Sequence, residues 1–333
     1  MNRVLLATAA AGLFFSCCSP AQETAAADAA HKPHPEKTRP GICVLIVGKA
    51  KAADPIQQQK RGTEAVRMVA DAAKQLQPET VIHAFSENIM TRGQYRRGDV
   101  KEKITRTIFR KHLKRLAKNT KPQDTVVIYT HTHGSRNGFE KSQPLGGIVL
   151  DLPVRRTAHR GRLLWNEYAD LLLEIPAKNV VVLTMSCFSG GLAEYLDSPQ
   201  VKPRWEKRRS KQGRNLIVLT SQNKDMMSPP IVKHGEVINP FTYAVTKAFA
   251  GAADGFNLQN STPGKPNPKD GRITAGELID YIRYTTENTP SENKRRRNIA
   301  KPQLTGSFSR EDVLFDRTGS KGPDPINLRN KTQ

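Results

Sequence analysis

The chain has 333 residues, 53 basic against 31 acidic side chains, a net charge of +22 and 37% hydrophobic residues. About 290 residues beyond the N-terminal region are enough for one large α/β domain. Four cysteines in such a length exclude a disulfide framework, and no segment beyond the N-terminal region is apolar for long enough to span a membrane.

Met1-Asn2-Arg3 is positively charged and Val4–Phe15 is apolar. That stretch is too short to cross a bilayer and suits a signal-peptide core. Two cleavages compete. Ser16-Cys17, after Leu13-Phe14-Phe15, is similar to a bacterial lipobox, with Phe14 where leucine is usual. Its cysteine would be acylated and become the new terminus. Ser19-Pro20-Ala21 instead offers the small residues that ordinary signal peptidase needs. The lipobox reading is preferred: residues 1–17 are a signal peptide and Cys17 is the lipidation site of an exported, lipid-anchored envelope protein. Residues 18–39 are rich in Ala, Pro, Glu, Gln and His and read as a disordered tether.

From residue 40 the pattern alternates. Ile42–Val47 is a strand, and residues 55–76 have helical periodicity. Thr80–Ala84 is a second strand, followed by a basic amphipathic helix over 99–118. Asp124–Tyr129 is a third strand and runs on to His133. A glycine-rich loop and a helix over 162–174 follow, then a fourth strand, Asn179–Met185, that leads into Cys187. Leu192–Leu196 is a short helix, 197–214 a polar, basic loop, and Leu216–Thr220 a fifth strand. Phe241–Phe249 and Ala275–Tyr284 are helices, the second opened by a capping box, Thr274-x-x-Glu277. Strands alternating with helices imply a mainly parallel sheet covered on both faces. The folded domain is expected over 40–315, with a flexible tail at 316–333.

Two of these strands stop at reactive side chains followed by small residues. VVIYTHTHG ends in His133-Gly134, and VVVLTMSCFSGG ends in Cys187 and Ser189-Gly190-Gly191. In an open α/β sheet, ligands bind beyond the carboxyl ends of the strands. A thiol needs a base or a positive neighbour to become a nucleophile, and a histidine supplies one. His131 and His133, two apart on an extended segment, also admit a zinc reading. Ser135 and Arg136 stand where a metallo-hydrolase carries its further ligands, and two imidazoles do not make a catalytic zinc site. No metal or cofactor is implied.

The pair strand-His-Gly and strand-Cys-x-Ser-Gly resembles the caspase-like clan of cysteine peptidases, and SCFSGG is most similar to the legumain family and to metacaspases. Cys187 lies 54 positions after His133, in keeping with the clan's spacing of about 50. LTSQNKDMMS at 219–228, the run from FTYAVTKAF to GELIDYI, and KPQLTGSF at 301–308 resemble later elements of the clan in the same order. The resemblance implies a caspase-like three-layer α/β/α sandwich with a mainly parallel central sheet. It also implies hydrolysis of peptide or protein substrates, with Cys187 attacking the carbonyl and His133 protonating the leaving amine. The N–H groups of Gly134 and Cys187 would form the oxyanion hole. Arg61 resembles the pocket arginine of legumains and caspases, and Asp225 is a candidate for the acidic pocket of metacaspases. Phe188 stands where legumains carry an acid.

The basic residues cluster at Lys111–Lys118, Arg204–Arg214 and Lys294–Arg297. An exported chain does not meet nucleic acid, so the clusters read either as a site for anionic envelope polymers or lipid headgroups or as a solvated surface that keeps the protein soluble. The alternative to a peptidase is a catalytically silent caspase-like lipoprotein that binds such polymers. The loop at 204–214 is, by position, a candidate for self-cleavage.

Overall fold

The computed structural model describes residues 40–49, 55–77, 79–86, 104–136, 146–150, 161–228, 230–233, 236–259, 262–294 and 299–318, the side chains of 55–61 and 236 excepted. All belong to one compact unit that begins at Pro40. Cys17, the tether and residues 295–297 of the last basic cluster lie outside them, as does the tail from 319.

The central sheet has six strands: β1 (Ile42–Gly48), β2 (Val81–Phe85), β3 (Thr125–His131), β4 (Asn179–Met185), β5 (Asn215–Thr220) and β6 (Gln303–Ser307). Their order is β6-β5-β4-β3-β1-β2. All neighbours are parallel except β6, which runs antiparallel to β5. Strands buried on both faces read as unbroken apolar runs, and side-chain alternation divides them between two cores. Val44, Ile46, Val127, Tyr129, Val181, Leu183, Ile217 and Leu219 face one way. Their layer is α1 (Pro55–Ala73), α6 (Pro240–Lys247) and α7 (Ala275–Asn288). Leu45, Val47, Val126, Ile128, Val180, Val182, Leu216 and Val218 face the other. There they meet α2 (Arg106–Asn119), α3 (Trp165–Leu173), α4 (Gly190–Leu196) and α5 (Lys202–Gln212). Burying each such side chain contributes about 1.5–3 kcal/mol. The three-layer α/β/α sandwich expected from the sequence is the fold of this chain.

A polar ladder pins the register at the amino ends of three strands. Asn215 Nδ2 donates to Asn179 Oδ1 at 2.7 Å, and Asn179 Nδ2 to Thr125 Oγ1 at 2.9 Å. The expected capping box opens α7, with Thr274 and Glu277 bonding each other's backbone.

The polar stretch at 197–214 is not a loop. Its centre is α5, which ends at Gly213 with φ 63° in the left-handed region. Trp205 is buried and its indole N–H donates to the Leu196 carbonyl at 2.9 Å. Arg208 donates to the carbonyls of Leu172, Leu173 and Ile175, closing the exposed end of α3. Arg209 pairs with Asp312 at 3.1 Å. A helix tied down in this way does not present the extended backbone that a cleavage site needs, so the self-cleavage expectation is withdrawn. Helix α2 starts at Arg106 behind an N-cap, Thr105, whose hydroxyl accepts from Ile108 N at 3.2 Å. At the other end of the domain, Val313–Asp316 forms a strand against Arg272–Thr274, and Arg317 Nε donates to the Gln75 carbonyl at 3.0 Å. The folded part therefore runs past 316, where the tail was expected to begin.

Candidate functional site

The carboxyl ends of β3 and β4 lie side by side, register-paired up to His131 and Met185. One further bond, Thr132 N to Met185 O at 3.0 Å, keeps the two chains together beyond the sheet. His133–Ser135 then turns away as the first strand of a small antiparallel sheet with Gly147–Val149 and Arg162–Leu164. His133 and Gly134 thus sit on a strand, where the sequence suggested the start of a loop. After β4, buried Ser186 is followed by Cys187 and Phe188, both partly exposed. Phe188 has φ 57°, a left-handed conformation that bulky residues rarely adopt. It swings the chain from the strand into α4.

Gly134 lies against the nucleophile candidate. A Cβ at this position would sit 1.7 Å from the Cys187 carbonyl oxygen and 3.1 Å from Ser186 Oγ. The fold therefore brings together the His-Gly and Cys segments that the sequence singled out. The small residues after Cys187 have the same kind of reason. A Cβ at Gly190 would meet Lys224 N at 2.6 Å, and one at Gly191 would meet Trp165 Nε1 at 2.5 Å.

Residues 221–228, after β5, wrap the cysteine turn. Ser221 Oγ accepts from Ser186 N and donates to Ser186 O, both at 3.3 Å. Ser189 Oγ accepts from Gln222 N at 3.2 Å. Phe188 N donates to Met226 O at 2.8 Å. Ser228 N–H points at Cys187 Sγ from 3.5 Å. The wrap is clasped from behind by buried Gln222. Its Nε2 donates to the carbonyls of Met227 at 3.1 Å and Ile299 at 3.0 Å, and its Oε1 accepts from Lys301 N at 2.9 Å. Sequence reasoning missed Gln222, because its partners lie 77 and 79 positions away. Gln222→Leu keeps the volume and strips these backbone groups of their partner. It should cost about 2–4 kcal/mol in urea unfolding and loosen the cysteine turn. Unchanged stability would mean that the clasp is idle.

His131 faces the α6 layer. Its Nδ1 is 3.0 Å from Thr242 Oγ1, which is 2.7 Å from the buried Tyr129 hydroxyl. Burial first, and the nearby His133 second, hold His131 down to about 3. Its imidazole is neutral and joins β3 to α6. Among the described residues no three His, Cys, Asp or Glu side chains gather as metal ligands would. Two further histidines are also depressed. Burial, then His83, Arg115 and Lys111, bring His112 to about 4. Burial and Arg115 lower His83. All three are neutral in the fold where an unfolded histidine, near 6.5, already binds a proton. Their contribution to stability is complete above that value and is lost as pH falls through it toward 4. Tm should drop over this window, and His131→Asn should flatten the drop. A flat wild-type profile would contradict the assignment.

The remaining site candidates fare differently. Arg61 is on α1, with its side chain outside the described part. Asp225 lies in the wrap, exposed, and its carboxylate is held by Arg136 at 2.6 Å. Arg136 follows the His133 strand, so this pair spans from one catalytic-candidate segment to the other. An exposed pair of this kind contributes about 0–1 kcal/mol. Cys43 and Cys187 are both thiols.

No protein-family model matches the sequence, and no curated protein matches it. Solved structures are similar at low identity. A Geobacter sulfurreducens protein aligns with a TM-score of 0.43 at 13% identity, over 81% of this chain and 94% of that one. Caspase-1 from Spodoptera frugiperda aligns with a TM-score of 0.48 at 10% identity, over 84% and 93%. The Drosophila initiator caspase Dronc gives 0.46 at 11% identity, over 84% of each chain. Likenesses this distant say nothing of activity.

Proposed function

We propose that the chain is a cysteine-type endopeptidase acting outside the cytoplasm, of the caspase-like kind and nearest the legumains. The observation that carries this reading is the close approach of Gly134, the residue after His133, to the Cys187 backbone at the carboxyl edge of a parallel sheet. In this mechanism Cys187 Sγ adds to the scissile carbonyl carbon. The N–H groups of Gly134 and Cys187 receive the developing oxyanion. His133 gives a proton to the departing amine, leaving a thioester that water then hydrolyses. The half-buried sulfur has the Ser228 N–H beside it at 3.5 Å.

The pocket for the residue before the cut is a further part of the proposal. Arg61 would select an acidic or carboxamide side chain, and Asp225 a basic one. The Arg136 pairing already neutralises Asp225, which favours the Arg61 choice. The chain would reach its substrates in the envelope, held there through Cys17.

The test is hydrolysis of a peptide library by the purified chain, with histidine variants in parallel. His133→Ala should lower kcat by about 10²–10⁴, and His131→Ala by much less. Equal losses in both, with activity abolished by a chelator, would replace this reading with a metal hydrolase.

A further inference from the structure

Helix α2 carries Arg106, Arg110, Lys111, Lys114, Arg115 and Lys118 and no acid. Phe109, Leu113 and Leu116 are its buried side. Arg106 and Arg110 turn to one carboxylate, Glu167 on α3, each at 2.7 Å. The other four cations are exposed. Their spacing of i, i+3, i+4 and i+7 sets them in one stripe on the solvent side. Among the described residues no carboxylate pairs with them. Like charges at this spacing repel, so the stripe costs stability unless something anionic meets it. On α5, by contrast, Arg204, Arg208 and Arg209 are bound to Asp170, to α3 carbonyls and to Asp312, which leaves Lys207 and Lys211.

The stripe ends where the chain enters the domain. Asp124 accepts the N–H of Gly41 at 3.0 Å and that of Lys121, just past α2, at 2.8 Å. This edge holds the amino ends of the strands, whereas Cys187 lies at the carboxyl ends. The 22 residues 18–39 read from their composition as a tether, and a tether of that length would have a mean span of roughly 25 Å. On that reading a bilayer holding residue 17 would lie within reach of α2. The exposed side of α2 has no aromatic residue to stack on bases, and it is a helix face with nothing on it but charge and short polar side chains.

We infer that Lys111, Lys114, Arg115 and Lys118 dock on an anionic lipid bilayer, the one that carries the N-terminal segment, and so turn the Cys187 edge away from it. The choice of a lipid surface over nucleic acid rests on the exported-lipoprotein reading.

The full chain, as processed by its host, is sedimented with phosphatidylcholine vesicles and with vesicles that also contain phosphatidylglycerol. An acyl anchor contributes to both, so the difference reports the charge. Binding to the anionic vesicles should be tighter by on the order of a hundredfold, and the excess should vanish in high salt. The variant Lys111→Gln, Lys114→Gln, Arg115→Gln, Lys118→Gln should lose the excess and keep its hydrolysis of short peptides. Lys207→Gln with Lys211→Gln on α5 should keep the excess. In the wild type, amine labelling of Lys111, Lys114 and Lys118 should fall on anionic vesicles, while that of Lys207 and Lys211 should not. Equal binding to both vesicles, an excess that survives the α2 variant, or a preference for soluble anionic polysaccharide over phosphatidylglycerol overturns the inference. Mass spectrometry of the mature N-terminus runs alongside. An unacylated terminus overturns the lipoprotein reading and, with it, the shared bilayer, whereas the vesicle difference decides separately whether the stripe docks on anionic lipid.

Discussion

Cys187→Ala should abolish peptide hydrolysis, lowering kcat by at least about 10³, while unfolding in urea shifts by less than about 1 kcal/mol. The two halves of this expectation have separate grounds. In the proposed mechanism the sulfur forms the covalent intermediate, so no residual pathway uses alanine. Yet the thiol contributes little to the fold. It is partly exposed, and its one described bond is a long contact from Ser228 N–H at 3.5 Å. The turn around it is held by Ser186, Ser189 and Ser221 and by backbone groups, which the substitution leaves in place. Cys43 provides the internal control. It lies near the amino end of β1, opposite Val126 on β3 and so at the far edge from Cys187. Cys43→Ala should keep the activity and the labelling by a thiol-directed probe that Cys187→Ala loses. A Cys187→Ala enzyme with full activity would end the peptidase reading.

Much of this architecture was legible because parallel strands announce themselves. VVVLTM at β4 is buried on both faces, so its apolar run marks the strand from Asn179 to Met185 as the fold has it. The same logic placed His133 and Cys187 at one sheet edge. What was not legible has no local pattern. Helix α5 has no apolar stripe, only Trp205, and it owes its place to Arg208 and Arg209 reaching distant partners. Strands of three residues, such as His133–Ser135, are too short to show alternation. Arg136 and Asp225 meet across 89 positions, and the Gln222 clasp joins segments that nothing in their own sequences relates. The outline of the sheet came from periodicity, whereas the shell around the cysteine is made of long-range polar contacts.

Gly134→Ala should impair catalysis almost as severely as loss of His133, and for a purely steric reason. The added Cβ would stand 1.7 Å from the Cys187 carbonyl oxygen and 2.7 Å from its carbonyl carbon. Ordinary contacts of this kind are about 3.5 Å, so something must move by more than about 1 Å. The obstacle is backbone, which cannot rotate aside as a side chain would. Either the His133–Ser135 strand lifts off or the Cys187 turn is pushed back. In both cases the His133 and Cys187 segments, with the N–H groups proposed for the oxyanion hole, lose their mutual placement. A misplacement of about 1 Å can cost 10² in rate, and overpacking of this kind typically costs about 1–3 kcal/mol of stability. The expected result is a kcat at least about 100-fold lower, with the fold retained at moderate temperature. Gly213→Ala separates position from stability. Gly213 caps α5 with φ 63° and has open space around it, so alanine there strains the backbone by about 1 kcal/mol. That variant should lose stability on a similar scale and keep its kcat. If Gly134→Ala instead turned over peptides at the wild-type rate, the contact with Cys187 would have no part in catalysis, and the oxyanion role of Gly134 would fall with it.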